Sequence, residues 1–387
     1  MDLTRPVWLE IDLDKLEHNY KEIRNVVSDN TEIMAVVKAD AYEHGAVDIV
    51  KSLMEFGVKR FGVAHLSEAL HIRNHVKDAE ILIMGYTPDY LMEKAISNNI
   101  TMTIYKLEHC QMLSEIAQNL NKTAKVHLKI ESGMNRLGFL PNKQSIEELS
   151  EICNMKNIYA EGIFTHFAAS DDNFEYTKLQ AERFNYVLHE LEKKNIKIPL
   201  KHVSNSAAIM NFREYDYNMV RAGIILYGVY PFPNADRNLI KLKHIATLKG
   251  QISNVKELEK GEKISYGLIY ETNKRTKVAT VPIGYADGFS RALSNKGFCI
   301  IKDKIVPIVG RICMDQLMID VTGLDVSIGD EAILMGESGD KKITIEEIAD
   351  QIGQIPAAVM CMVTKRIPFI YKKNGEIINT VDYLLEL

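Results

Sequence analysis

The sequence predicts an α/β fold: an N-terminal (β/α)8 TIM-type barrel followed by a mostly β C-terminal domain. Three observations predict it. Eight short apolar runs alternate with amphipathic stretches over roughly the first 230 residues. The dinucleotide fingerprint G-x-G-x-x-G follows none of those runs, which weakens the competing open, doubly wound sheet. Near residue 240 the rhythm changes to β-rich runs separated by turns.

The apolar runs lie at 33–37, 61–64, 81–84, 102–105, 126–130, 160–165, 202–204 and 219–225. Short, nearly continuous apolar segments read as strands buried on both faces. Between them, 48–56, 67–75, 88–96, 107–120, 145–153 and 177–194 place apolar residues at helical spacing. Further on, 246–255, 278–283, 299–301, 305–309, 318–321 and 331–335 are β-rich, with Asp303-Lys304 as a hairpin tip. Thr344-Ile345-Glu346-Glu347 is a capping box that opens a helix over 345–352. The expected domains are 1–240 for the barrel and 241–387 for the β domain.

The 387 residues are 46% hydrophobic and 26% charged, an ordinary soluble composition long enough for two domains. The net charge of −5 is interspersed, so no nucleic-acid partner is expected. No apolar stretch reaches the length of a membrane span, and residues 1–6 lack the pattern of a signal peptide. Five scattered cysteines suggest neither a metal site nor a disulfide framework, and so a reducing, cytoplasmic setting.

The first run ends by delivering Lys38 into the polar turn 39–45. A lysine at such a place either snorkels to solvent or forms a Schiff base with an aldehyde cofactor. In a barrel, the carboxyl ends of the strands build the site. That rule brings Lys38, Lys129, Arg136, His166, Asn205, Ser206, Arg221, Gly223 and Ile224 to one mouth. Several cations with small donors suit an anionic ligand. Ser206, heading a helical run, reads as a phosphate donor or a plain N-cap. Gly223 lets backbone approach a phosphate closely. Arg221 alone reads as an ion pair, and His166 as a core histidine. Lys129, directed inward near Arg136, is a proton-free amine or a carbamate. In the second domain, the segments holding Tyr266, Tyr285 and Met314 read individually as turns.

Taken together, the ordered blocks resemble the alanine racemase family. They are Trp8-Leu9-Glu10-Ile11-Asp12, Val37-Lys38-Ala39-Asp40-Ala41-Tyr42, His127-Leu128-Lys129-Ile130 and Gly133-Met134-Asn135-Arg136-Leu137-Gly138. Thr165-His166-Phe167-Ala168, Asn205-Ser206-Ala207-Ala208 and Val220-Arg221-Ala222-Gly223 follow. Ser265-Tyr266-Gly267, Gly284-Tyr285-Ala286-Asp287-Gly288 and Gly310-Arg311-Ile312-Cys313-Met314-Asp315-Gln316 complete them, spanning nearly the whole chain.

The resemblance implies pyridoxal 5'-phosphate held by Lys38, and a homodimer whose second domain completes the partner's barrel mouth. It implies Tyr42, Asn205, Ser206 and the backbone of Gly223 and Ile224 around the phosphate, with Arg221 toward the ring nitrogen. Arg136 would contact the ring hydroxyl and be supported by Lys129, which is often carbamylated in the family. His166 would pair with Tyr266 of the partner subunit. Lys38 and Tyr266 would be the two bases. Met314 and Arg136 would contact substrate, and Tyr285, Asp171, Arg291 and Arg311 match the substrate entry path.

The departures bear on specificity. Ala357 and Ala358 stand where the family usually has tyrosine and glutamate. Ala357 suggests a wider pocket, and so an alternative preference for serine or a basic amino acid such as lysine or arginine. Glu43 replaces a glycine, which is costly where φ is positive. A non-catalytic regulatory barrel is the remaining alternative, opposed by the presence of both Lys38 and Tyr266.

Overall fold

The computed structural model describes residues 3–385. Two compact units emerge, and each is built around its own sheet system.

The first unit holds Glu17–Ala41 and Ala46–Leu242. Its eight parallel strands are Glu32–Val36, Arg60–Val63, Glu80–Ile83, Thr101–Ile104, Ala124–Lys129, Ile158–Phe164, Leu200–His202 and Met219–Ala222. The first seven pair in chain order and the last pairs with the first, but the seventh and eighth form no strand ladder, so the barrel is nearly closed. Between the seventh and eighth, Arg221 N–H donates to Ser204 O at 3.0 Å. The barrel and its alternating helices are therefore as the apolar runs predict. Met34, Leu82, Leu200 and Met219, from four strands, pack together in the interior. Burying each such side chain contributes about 1.5–3 kcal/mol.

Two runs end differently. The seventh strand is Leu200–His202 rather than 202–204, because Ser204 Oγ turns to donate to Tyr215 O at 3.2 Å. The eighth stops at Ala222. Gly223, at φ −111° and ψ −110°, bends the chain into the 3-10 turn Ile224–Tyr227. That turn keeps Ile225, Leu226 and Tyr227 buried, so apolarity alone did not distinguish it from strand.

The second unit gathers the residues up to Leu16, Tyr42–Gly45 and Lys243–Leu387. Its main sheet runs Lys304–Pro307, Phe298–Ile301, Glu331–Ser338, Ala246–Gln251, Val7–Asp12, Phe369–Lys373, Glu376–Val381, and Lys341–Ile343 pairs with Glu331–Ser338. Val7–Asp12 is antiparallel to Ala246–Gln251 and parallel to Phe369–Lys373. The run expected over 246–255 is two strands in two sheets, Ala246–Gln251 and Asn254–Leu258. The hairpin tip lies one residue earlier than expected: Lys302 and Asp303 take φ of 48° and 58°, as a two-residue hairpin turn requires. The capping box forms, with Glu347 N–H donating to Thr344 Oγ1 at 3.2 Å and Thr344 N–H to Glu347 Oε2 at 2.8 Å. No helix among the described residues is long and apolar enough to cross a membrane.

Candidate active site

Lys38 leaves the first barrel strand and is exposed. After it the backbone does something rare. Ala39, Asp40, Ala41, Tyr42 and Glu43 all have φ between 51° and 58°, a left-handed single turn. L-residues disfavour that conformation by about 1–2 kcal/mol each. Carboxylates offset part of the cost. Glu68 accepts the Ala39 N–H at 2.8 Å and the Ala64 N–H at 2.7 Å, and Asp40 accepts the Ala46 N–H at 2.7 Å. Glu43 itself adopts φ 58°, the geometry that a glycine would have met without strain.

Asn205, not Ser206, caps the helix Ser206–Asn211, accepting the Ala208 N–H at 3.0 Å. Its Oδ1 also accepts from Ser170 Oγ at 2.9 Å. Capping by Asn205 frees the hydroxyl of Ser206, whose Oγ accepts the Gly223 N–H at 3.0 Å. Ile224 begins the turn that follows.

Arg221 is the buried hub of the barrel. Its guanidinium donates to His202 Nδ1 at 3.0 Å and His166 Nδ1 at 3.1 Å. It donates also to the carbonyls of Thr165, His202 and Val203 at 2.9–3.0 Å. Among the described residues it meets no carboxylate. Burial, then the Arg136 charge, pulls it down to about 9, so it stays a cation at neutral pH. Burial, followed by Arg221, Lys129, Arg136 and Lys38, holds His166 well below its ordinary value. His166 is therefore neutral, accepting at Nδ1 and carrying its proton on Nε2.

Lys129 is buried over the Phe164 ring, 5.3 Å from its centroid, and donates to Ile130 O at 2.9 Å. Burial, then Arg221, lowers it to about 7, with Arg136 adding to the effect and Glu131 opposing it. Glu131 shapes the following loop, accepting the N–H groups of Gly133 at 2.7 Å and Arg136 at 2.9 Å. Arg136 is exposed there.

The second unit holds Tyr42, Tyr266, Tyr285, Met314 and Ala357. Burial, then the Cys361 thiol, pushes the Tyr42 phenol up to about 12, so it is a neutral donor. Tyr266 is 71% exposed, in a turn begun by Ser265 at φ 66°. Ser265 Oγ fastens that turn by donating to Arg311 O at 2.5 Å. Tyr285 N–H donates to Cys313 O at 3.1 Å and Ala286 N–H to Met314 O at 3.0 Å, bringing Tyr285 beside Met314. Both side chains are exposed. A Cβ at Gly284 would lie 2.3 Å from those two carbonyls, so the approach needs glycine. The segments that read singly as turns thus form one surface. Ala357 is half-buried in the short helix Pro356–Met360. Arg291 is exposed in the turn Arg291–Leu293, and Asp171 is exposed in the barrel unit.

Sequence reasoning missed Glu131, which holds the Arg136 loop, and His202, which accepts from Arg221. The available signal was polar residues inside apolar strand runs, which burial forces to find partners.

A profile described as alanine racemase, N-terminal domain, matches residues 11–231, and one described as alanine racemase, C-terminal domain, matches 245–371. The chain is 47% identical over 383 residues to an alanine racemase of Clostridium tetani, covering 98% of this chain and 99% of that one. The structure of an alanine racemase from Clostridium difficile 630 matches with a TM-score of 0.95 at 44% identity, covering 99% of this chain and 100% of that one. A histidine racemase from Leuconostoc mesenteroides matches with a TM-score of 0.88 at 29% identity over 96% of this chain and 99% of that one. With two profiles covering most of its length and these relatives alongside, the chain belongs to the alanine racemase family.

Proposed function

We propose that the protein is a pyridoxal 5'-phosphate-dependent racemase that interconverts L- and D-alanine, acting in the cytoplasm as a homodimer with shared active sites. The observation that carries it is Arg221: a buried guanidinium surrounded by neutral acceptors, with no carboxylate partner among the described residues. Buried cations without a counter-ion call for an anionic or electron-rich ligand. Lys129 and Arg136 add to that demand.

The residues fit the cofactor. Ser206, Asn205, Tyr42 and the backbone of Gly223 and Ile224 would hold its phosphate. Arg221 would face the ring nitrogen and Arg136 the ring hydroxyl, while Lys38 would carry its aldehyde carbon. Bound there, the cofactor supplies an electron sink that acidifies the amino acid's Cα–H. The chain supplies the protons. Racemisation needs a group on each face, and Lys38 and the partner subunit's Tyr266 would remove and return them. Neutral His166, with its proton on Nε2, would orient that phenol. Arg221, a cation at neutral pH that only donates, would leave the ring nitrogen unprotonated and moderate the sink. Arg136 and the backbone of the partner subunit's Met314 would hold the substrate carboxylate, with the partner subunit's Tyr285 at the entry. The exposed group of Tyr266, Tyr285 and Met314 supports covering by a second copy.

Kinship supports alanine over the serine or basic substrates that Ala357 suggests, and the bases Lys38 and Tyr266 oppose a purely regulatory barrel. Purified protein given L-alanine, L-serine, L-lysine, L-arginine and L-histidine in parallel tests this reading. D-alanine forming fastest is expected, and absence of D-alanine overturns it.

A further inference from the structure

A chain of imidazoles runs from Arg221 through the barrel interior to Glu161. His202 Nδ1 accepts from Arg221 at 3.0 Å. His202 Nε2 lies 2.8 Å from His127 Nδ1, and His127 Nε2 lies 3.3 Å from Glu161 Oε2. Both histidines are buried. The His202 ring stacks on Phe164 with centroids 4.7 Å apart and planes 3° from parallel. Gly162 makes room for the other ring: a Cβ there would lie 2.6 Å from His127 Nδ1. Arg60 secures the far end, 3.3 Å from Glu161, 2.8 Å from Glu32 and 2.6 Å from Glu80, and Lys125 lies 3.6 Å from Glu161.

The donor inventory sets the protons. A guanidinium only donates, so His202 Nδ1 must be bare. A neutral His202 then carries its proton on Nε2 and gives it to His127 Nδ1. His127 in turn must carry its own on Nε2, facing Glu161. Every link points one way and ends on a group that only accepts. We propose that Glu161 is a positioning residue for this site: through His127 and His202 it dictates which imidazole nitrogen is protonated and so keeps an acceptor facing Arg221. Burial lowers both histidines, in keeping with neutral rings. Burial raises the Glu161 carboxyl, but His127, Arg60 and Lys125 outweigh it and hold it down to about 2, so it remains an acceptor.

Without that acceptor, His127 is free to carry its proton on Nδ1. It then confronts the Nε2–H of His202, whose proton shifts to Nδ1 and meets the Arg221 donor head-on. Arg221 loses an acceptor and its fixed orientation. This relay needs none of the cofactor's atoms. Its consequence for turnover rests on the racemase reading, whereas its proton positions do not.

The test is nitrogen-15 histidine NMR of the cofactor-loaded protein at neutral pH, with signals assigned by single histidine replacements. The wild type is expected to show His127 and His202 neutral and protonated on Nε2. In Glu161→Leu, Nδ1-protonated His202 appears, and kcat for alanine falls about tenfold while KM stays within about twofold. Gly162→Ala displaces His127 without removing a titratable group and gives the same pattern. A wild type with either ring charged or protonated on Nδ1 overturns the proposal even if neither variant folds. So does a folded Glu161→Leu with unchanged tautomers. A wild type that does not racemise alanine defeats the racemase reading and leaves the tautomer result standing.

Discussion

Ser206 Oγ accepts the Gly223 N–H at 3.0 Å, tying the start of one helix to the end of the last barrel strand. The contact exists because Asn205 takes over the cap and leaves the serine hydroxyl unspent. Ser206→Ala strands a buried N–H, which costs about 1–3 kcal/mol. It also removes a proposed phosphate donor, so pyridoxal phosphate is expected to dissociate about tenfold more readily. Urea unfolding and cofactor titration measure the two effects. A variant equal to wild type in both makes the contact incidental.

Tyr266→Phe removes one of the two proposed proton carriers and leaves the barrel residues intact. Racemisation is expected to fall by about 10² or more in at least one direction. Cofactor content, followed by visible absorbance, should not change. Unchanged turnover from both enantiomers takes Tyr266 out of the mechanism.

Lys129 is brought to about 7 from an ordinary 10.5 by burial and then Arg221. Between those values the unfolded chain holds a proton that the folded chain does not. Its effect on stability therefore becomes more favourable as pH rises from 7 toward 10.5, by up to about 1.4 kcal/mol per pH unit. In buffers free of carbon dioxide, wild type should gain on Lys129→Met between neutral and alkaline pH. A constant gap between the two contradicts it. An unprotonated amine also reacts with carbon dioxide, so added bicarbonate should yield a labile carbamate visible by intact-protein mass.

Glu131 organises the loop that ends in Arg136. Burial raises its carboxyl, but the N–H groups of Asn135, Arg136 and Gly133, then Lys129, outweigh this and hold it below the usual carboxylate range. A lowered folded value means its stabilisation is complete above the unfolded carboxylate range. It is lost as pH falls through the folded value. Glu131→Gln is expected to cost about 1–3 kcal/mol at neutral pH, with a smaller difference in acid. Denaturant midpoints at the two pH values check it, and a gap that widens in acid rules it out.

Much of this protein was legible in its sequence. The alternation of apolar runs with helical patterns is a local property, and so are the Thr344–Glu347 capping box and the placement of Lys38, Arg221 and Ser206 at strand ends. Those determined the barrel and most of the candidate site, because strand and helix periods are set by neighbouring residues. Tertiary structure decided the rest. Val7–Asp12 became an internal strand only by pairing with segments more than 200 residues away in the chain. Five left-handed residues after Lys38 persist because Glu68 and Asp40 hold them, against their intrinsic preference. The line from Glu161 to Arg221 joins four strands and has no sequence period at all. Which polar groups meet in a buried interior depends on the closure of the barrel, and pairwise hydrogen bonding then fixes their protons.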